Sequence, residues 1–389
     1  MRWRARSLVL GLAAPSAAAI GCLQPGIDPV FLALLTHANG LPAEWHGLVV
    51  GATQGGAALG ALAVWRLGAA LPHRAVMAAA LFAIACSLLT PLAGPGTATL
   101  AVRGGYGTAM GVVYAHAMGA YAARAPNRAY AAVYLAQLLI ATLASALLPE
   151  AALLMGEKGA IALLALAPAC AFLALLATKP TSDSPPAEAH RAVIPLAGWA
   201  LAAATFWFIC ATMLVWSFTA ALAGEAGLPD RTIGHAVAIG SVVGVLTAIT
   251  VMRESRIVPV PLTAILSLLG LASPLAMTRP GEDGLFILSV ILLNIGSTAI
   301  IIRCSGMASA ASMDSRFRTF VACTHALGTI AGPLAGSALT HVFGLDGLPA
   351  GVAFAGGAGV AMIVLASLRT ANPFSGKDPQ PPFADAKGA

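Results

Sequence analysis

Long uncharged runs recur along this chain. Each is about twenty residues, the length a helix needs to cross the hydrocarbon of a bilayer. The first extends from Ser7 to Ile27 without a charge. The runs lack the alternation of barrel strands, so helices are expected. A helix satisfies its backbone groups internally, as lipid requires. Of the 389 residues, 59% are hydrophobic and only 9% charged. A soluble chain is nearer a quarter charged, so lipid rather than water is the expected solvent.

Twelve spans follow, at roughly 7–35, 46–64, 73–93, 97–120, 129–150, 159–177, 195–222, 232–252, 259–278, 284–307, 318–340 and 348–368. They divide into an N-terminal six-helix bundle (residues 1–177) and a C-terminal one (195–368). The polar stretch 178–194 between them is rich in Pro, Ser and charge and reads as a cytoplasmic linker. The tail 369–389 has the same character and reads as disordered. The opening "MRWRARSLVLGLAAPSAAA" looks like a signal peptide. Its apolar segment continues past Ala19, however, and is taken as a spanning helix.

Net charge is +6. The basic residues stand singly between spans with no interleaved aromatics, so nucleic acid is not an expected partner. They serve as topology signals instead. With the N-terminus in the cytoplasm, Arg2, Arg4, Arg6, Arg66, Arg74, Arg124, Arg128, Lys179, Arg191, Arg253, Arg256, Arg316, Arg318, Arg369, Lys377 and Lys387 fall inside, and only Lys158, Arg231 and Arg279 fall outside. The expected location is a bacterial inner (cell) membrane, multi-pass, with both ends cytoplasmic and the chain a monomer. The six cysteines lie in apolar segments and form no CxxC pair, so neither a metal nor a cofactor is expected.

Polar residues inside spans are expensive in lipid and mark pathways. Asp28 lies in span one, beside Gln24 and between Pro25 and Pro29, in a helix that proline should break. A broken helix at membrane depth is tolerated where it lines a cavity and points to a transport site. Arg103 enters span four at a depth close to that of Asp28. The two are expected to share a cavity and to pair. Gln54, Gln137 and Asn294 add neutral hydrogen-bonding groups. Tyr106, Tyr114 and His116 follow Arg103 on the same span. Trp207 stands in the aromatic run of span seven as a candidate wall for the apolar part of a substrate, and His325 stands alone on span eleven. Asp28 and His116 can exchange a proton; Arg103 can hold Asp28 ionised or bind an anion.

This pattern resembles the major facilitator superfamily over essentially the whole chain. "RGGYGTAMG" is similar to the span-four motif that the family associates with proton coupling, with its arginine at Arg103. "GALAVWRLGAALPHR" keeps Gly60, Ala63, Arg66, Gly68 and Arg74 of the loop motif between spans two and three but lacks its aspartate. "GTIAGPLAG", with Gly328, Gly332, Pro333 and Gly336, resembles the family's antiporter motif, here on span eleven. The resemblance implies a secondary transporter that moves a small organic solute by alternating access, with a proton as the candidate coupling ion. The expected substrate is an organic anion or amphipathic metabolite. A facilitative or efflux carrier without proton coupling is the alternative. A transporter-derived sensor is a second one. An integral-membrane enzyme is a third, but His46, His116, His235 and His325 have no carboxylate at helical spacing. No ATP-binding G-x-x-x-x-G-K-[ST] loop occurs.

Overall fold

The computed structural model describes residues 14–67, 71–122, 126–177, 194–253, 259–311 and 315–369. Within them the chain is helical, with α1 (Ala14–Gly21), α2 (Gln24–Asn39), α3 (His46–Leu67), α4 (His73–Leu89), α5 (Thr97–Ala122), α6 (Pro126–Leu163), α7 (Leu166–Ala177), α8 (Leu196–Glu225), α9 (Asp230–Arg253), α10 (Val260–Met277), α11 (Asp283–Ala310), α12 (Ser315–Phe343) and α13 (Leu348–Arg369). No strand occurs among the described residues. Among the described residues eight helices are long and apolar enough to cross a membrane, or nine if the bent pair α1 and α2 counts as one span. The protein is an integral, multi-pass membrane protein. Nearly all of the linker and of the tail expected from the sequence lies outside the described residues.

Two boundaries differ from expectation for identifiable reasons. The first span breaks just ahead of Pro25 and Pro29: α1 and α2 meet at a 45° bend. Helix α2 then runs to Asn39, closed by Gly40 in the left-handed region (φ 65°). It is one turn longer than the 7–35 segment allows. The loop expected at 151–158 shrinks to a turn at Gly156, whose φ of 76° suits only glycine. The chain doubles back there. Leu164 and Ala167 pack against Leu23, Ile27 and Ala141, which one straight helix from 126 to 163 could not reach.

The tightest helix pair is α3 against α5. A Cβ on Gly56 would strike Gly104 O, one on Gly60 Thr108 O, one on Gly107 Thr53 O, and one on Gly111 Ala57 O. Each helix contributes two glycines four residues apart, so both backbones approach across a mutual groove, as small-residue pairs permit in membranes. The "GTIAGPLAG" stretch does the same for α12. Gly332 abuts Cys210 O and Gly336 abuts Phe218 on α8, while Pro333 O meets Gly47 of α3.

The two sequence halves meet at one end of the molecule. Gly47 and Gly51 of α3 abut Pro333 and Leu334 of α12, and Ser337 donates to Glu44 O at 2.6 Å. Gly234 of α9 abuts Ser145 O and Pro149 of α6. Arg231 pairs with Glu150 at 2.8 Å and His37 with Asp230 at 3.0 Å. Towards the other end α3 and α12 part. Gly55 faces open space, and Cys323, His325 and Leu327 of α12 are exposed. The described helices are thus closed together at one end and splayed at the other.

Candidate functional site

The site forms where α2, α3 and α5 converge. Asp28 and Gln24 are one turn apart on α2, so they share a face. Gln24 Nε2 donates to Asp28 Oδ1 at 2.8 Å. Both residues are buried, Asp28 to 1% exposure. Arg103 of α5 is buried to 2%, and its Nε donates to Thr53 Oγ1 at 3.3 Å. Thr53 in turn donates to Val49 O at 2.8 Å, so its hydroxyl is oriented as an acceptor towards the guanidinium. The guanidinium carbon lies 4.4 Å from the ring centroids of both Phe31 and Tyr106. Two aromatic faces thus replace much of the hydration the cation has lost.

The expected direct pair of Asp28 with Arg103 is not formed: no ion pair joins them among the described residues. The reason lies in the longer α2. From Asn39, Asp28 is eleven residues back, about 16 Å along the axis, whereas Arg103 is six residues into α5, about 9 Å. The guanidinium therefore meets Phe31, one turn nearer the closed end than Asp28. Each charge keeps one atom unused. Asp28 Oδ2 and Arg103 Nη2 are buried without a hydrogen-bond partner, as is Ser87 Oγ. Ser87, Gln24, Phe31, Arg103 and Tyr106 border one small cleft.

The other expected residues scatter. Gln137 of α6 approaches Gly26 on the opposite face of α2 from Gln24. Gln54 is half-buried on α3, beside Thr53. Tyr114 packs on Gly21 of α1. His116 is about 20 Å along α5 from Arg103, with its ring 5.7 Å from that of His73. Asn294 donates to Val290 O at 2.9 Å and packs on Gly240 of α9. Trp207 lies edge-on to Phe206 and to Phe354 of α13. His325 is exposed on α12, one turn before Gly328 packs on Ile209. Arg303, a second arginine within a span, donates to Thr263 of α10.

Sequence reasoning passed over Phe31, Thr53 and Ser87, which complete the surroundings of Arg103. Phe31 carried a signal, standing three residues after Asp28 on one helix face. It also passed over a vestibule of about 520 Å³ at the closed end, bordered by Thr36, His37, Glu44, His46, Glu225 and Asp230 among others. His46 is buried to 1% there, bonded through Nε2 to Thr36 Oγ1 at 2.9 Å.

No protein-family model and no curated protein sequence matches the chain. Solved structures do match it in shape. A bacterial homologue of the human lysosomal transporter Spinster, inward-facing and occupied, superposes with a TM-score of 0.70 at 13% identity, covering 96% of this chain and 99% of that one. The nucleoside transporter NupG, as a point mutant, gives 0.67 at 12% identity over 92% and 99%. The Spinster homologue in an inward-facing, unoccupied conformation gives 0.64 at 13% over 95% and 96%. The fold is therefore of the major-facilitator type, shared with transporters at a level of identity where fold alone is established.

Proposed function

We propose that this chain is a secondary transporter that moves a small organic solute across the membrane by alternating access, with protons as the driving ion and Asp28 as their carrier. The observation that carries this reading is the incomplete charge site. A buried carboxylate with one oxygen unused stands on α2 one turn from Phe31, the ring against which a buried guanidinium with one nitrogen unused is held. A proton arriving at Asp28 changes the charge that Arg103 faces, and a solute anion would find in Arg103 a donor with capacity to spare. No catalysis is assigned to the chain. The closed end and the splayed end fit one extreme of an alternating cycle.

The proposed architecture has twelve spans: α1 with α2, then α3, α4, α5, the two arms of α6 with α7 completing the second, and α8 to α13. Residues 1–177 and 195–368 are the two bundles that rock. The linker 178–194, both chain ends and the splayed end face the cytoplasm of a bacterial cell, following the positive-inside rule. The transported solute is an organic anion or amphipathic metabolite, and the unit is a monomer.

The test begins with a thermal-shift screen of the purified protein against metabolites, since a ligand stabilises by mass action. A hit should accumulate in right-side-out vesicles, and an uncoupler should collapse that accumulation. Uptake that ignores the uncoupler would remove the proton from the mechanism. Single cysteines placed between 178 and 194 should label only from the cytoplasmic side; labelling from outside would invert the topology.

A further inference from the structure

Helix α2 carries Pro25 in its first turn and Pro29 one turn later. In an α-helix the N–H of residue 29 serves the carbonyl of residue 25. Proline has no N–H, so the Pro25 carbonyl loses the donor its own helix would have supplied. The structure provides another. Trp216 Nε1 of α8 donates to Pro25 O at 2.7 Å, across 191 residues of sequence and between the two sequence halves. Trp216 is itself only 7% exposed, and an indole has a single donor and no acceptor. Each group therefore satisfies the other in a place where an unmade hydrogen bond is costly.

The position of this bond gives it a further role. Asp28 stands between the two prolines, and Pro25 is one residue from Gln24, the amide that holds Asp28. The bond links this segment to α8 at the base of the closed end. If that end opens, α2 and α8 must separate and the bond breaks. We infer that Trp216 and the Pro25 carbonyl form a latch that holds this end closed, and that Pro29 keeps the carbonyl free to be latched. Trp216 is thus a positioning residue, acting on the Asp28 segment without touching the carboxylate. The inference rests on the transporter reading for what opening means, but the latch can be measured without any transported solute.

The experiment reads opening at Ala33, which is 4% exposed on the vestibule wall of the closed end. In the full chain carrying Ala33→Cys, reaction with a membrane-impermeant thiol reagent is followed by mass spectrometry of that peptide, which separates it from the native cysteines. Trp216→Phe keeps an aromatic ring, smaller than the indole, and removes the donor. It should speed labelling by roughly tenfold, the size expected for one buried acceptor left unsatisfied. Pro29→Ala returns an N–H to α2. In that background Trp216→Phe should change the rate by less than about twofold, because the helix now serves its own carbonyl. Trp216→His, which restores a donor, should recover part of the protection. Wild-type labelling rates in Trp216→Phe would overturn the latch. So would equal acceleration with and without Pro29, which would make Trp216 a packing residue only. Vesicles that accumulate nothing would sink the transport reading and leave these rates as the test of the latch.

Discussion

Asp28→Asn is expected to abolish accumulation of the solute against its gradient while solute exchange across the membrane continues. The substitution is nearly isosteric. The Gln24 amide at 2.8 Å can still donate to the remaining side-chain oxygen, so the local fold should hold. What disappears is the ability to gain and lose a proton within the protein. Vesicles made from the variant should equilibrate the solute but not concentrate it, with or without uncoupler. Normal accumulation with normal pH dependence would show that the carboxylate carries no proton and that the broken helix serves shape alone. Arg103→Gln should also abolish accumulation. Its cost in stability should combine with that of Asp28→Asn slightly less than additively, with a coupling of about 0.5–1 kcal/mol in thermal unfolding. A bonded buried pair would lose about 3–5 kcal/mol on removal of one partner, and these two side chains are not bonded to each other.

The second large effect concerns the glycine groove between α3 and α5. Gly107→Val should destabilise the protein by at least about 2–3 kcal/mol and remove transport. Its Cβ would collide with Thr53 O, and overpacking of this kind displaces backbone. The displaced residue is Thr53, whose hydroxyl accepts the hydrogen bond from Arg103, so stability and site fail together. Gly104→Ala, three residues away in the same run, should be tolerated. A Cβ there meets only Ala52 O at an ordinary 3.8 Å, and alanine favours the helix by up to ~1 kcal/mol. Thermal unfolding in detergent separates the two cases. Equal losses at both positions would mean that the glycines serve general flexibility rather than one helix contact.

Hydropathy made the helices legible, because a span in lipid must be apolar over its whole length and a connecting turn need not be. The burial of Asp28 and Arg103 was legible for the same reason. Their partners were not. Whether Arg103 meets Asp28 or Phe31 depends on one turn of helix at the end of α2, and the polar end of a span does not mark where its helix stops. Facing is equally hidden: each residue turns the helix by about 100°, so Gln24 reaches Asp28 while Gly26, two residues on, faces Gln137. The glycines of α5 invited a close partner, but only the fold supplies Gly56 and Gly60 of α3. The aromatic run on α8 was visible as composition. That Trp216 reaches the Pro25 carbonyl while Trp207 packs on Phe354 follows from tertiary placement. The proline spacing did carry a readable signal, since Pro29 implies an unserved carbonyl four residues earlier.

Three carboxylates, Glu44, Glu225 and Asp230, border the vestibule at the closed end, and no lysine or arginine lies among its described lining residues. An excess of carboxylates at a recessed rim creates a negative potential that concentrates cations, hydronium among them. Protons at the vestibule mouth should therefore be more abundant than in the bulk solution, and the proton coupling proposed above would then respond to a surface pH lower than the one set by the buffer. Salt screens that potential over about 10 Å at 0.1 M. The bulk pH at which uptake is half-maximal should then stand higher in dilute buffer than in concentrated salt, with no change in any residue of the site.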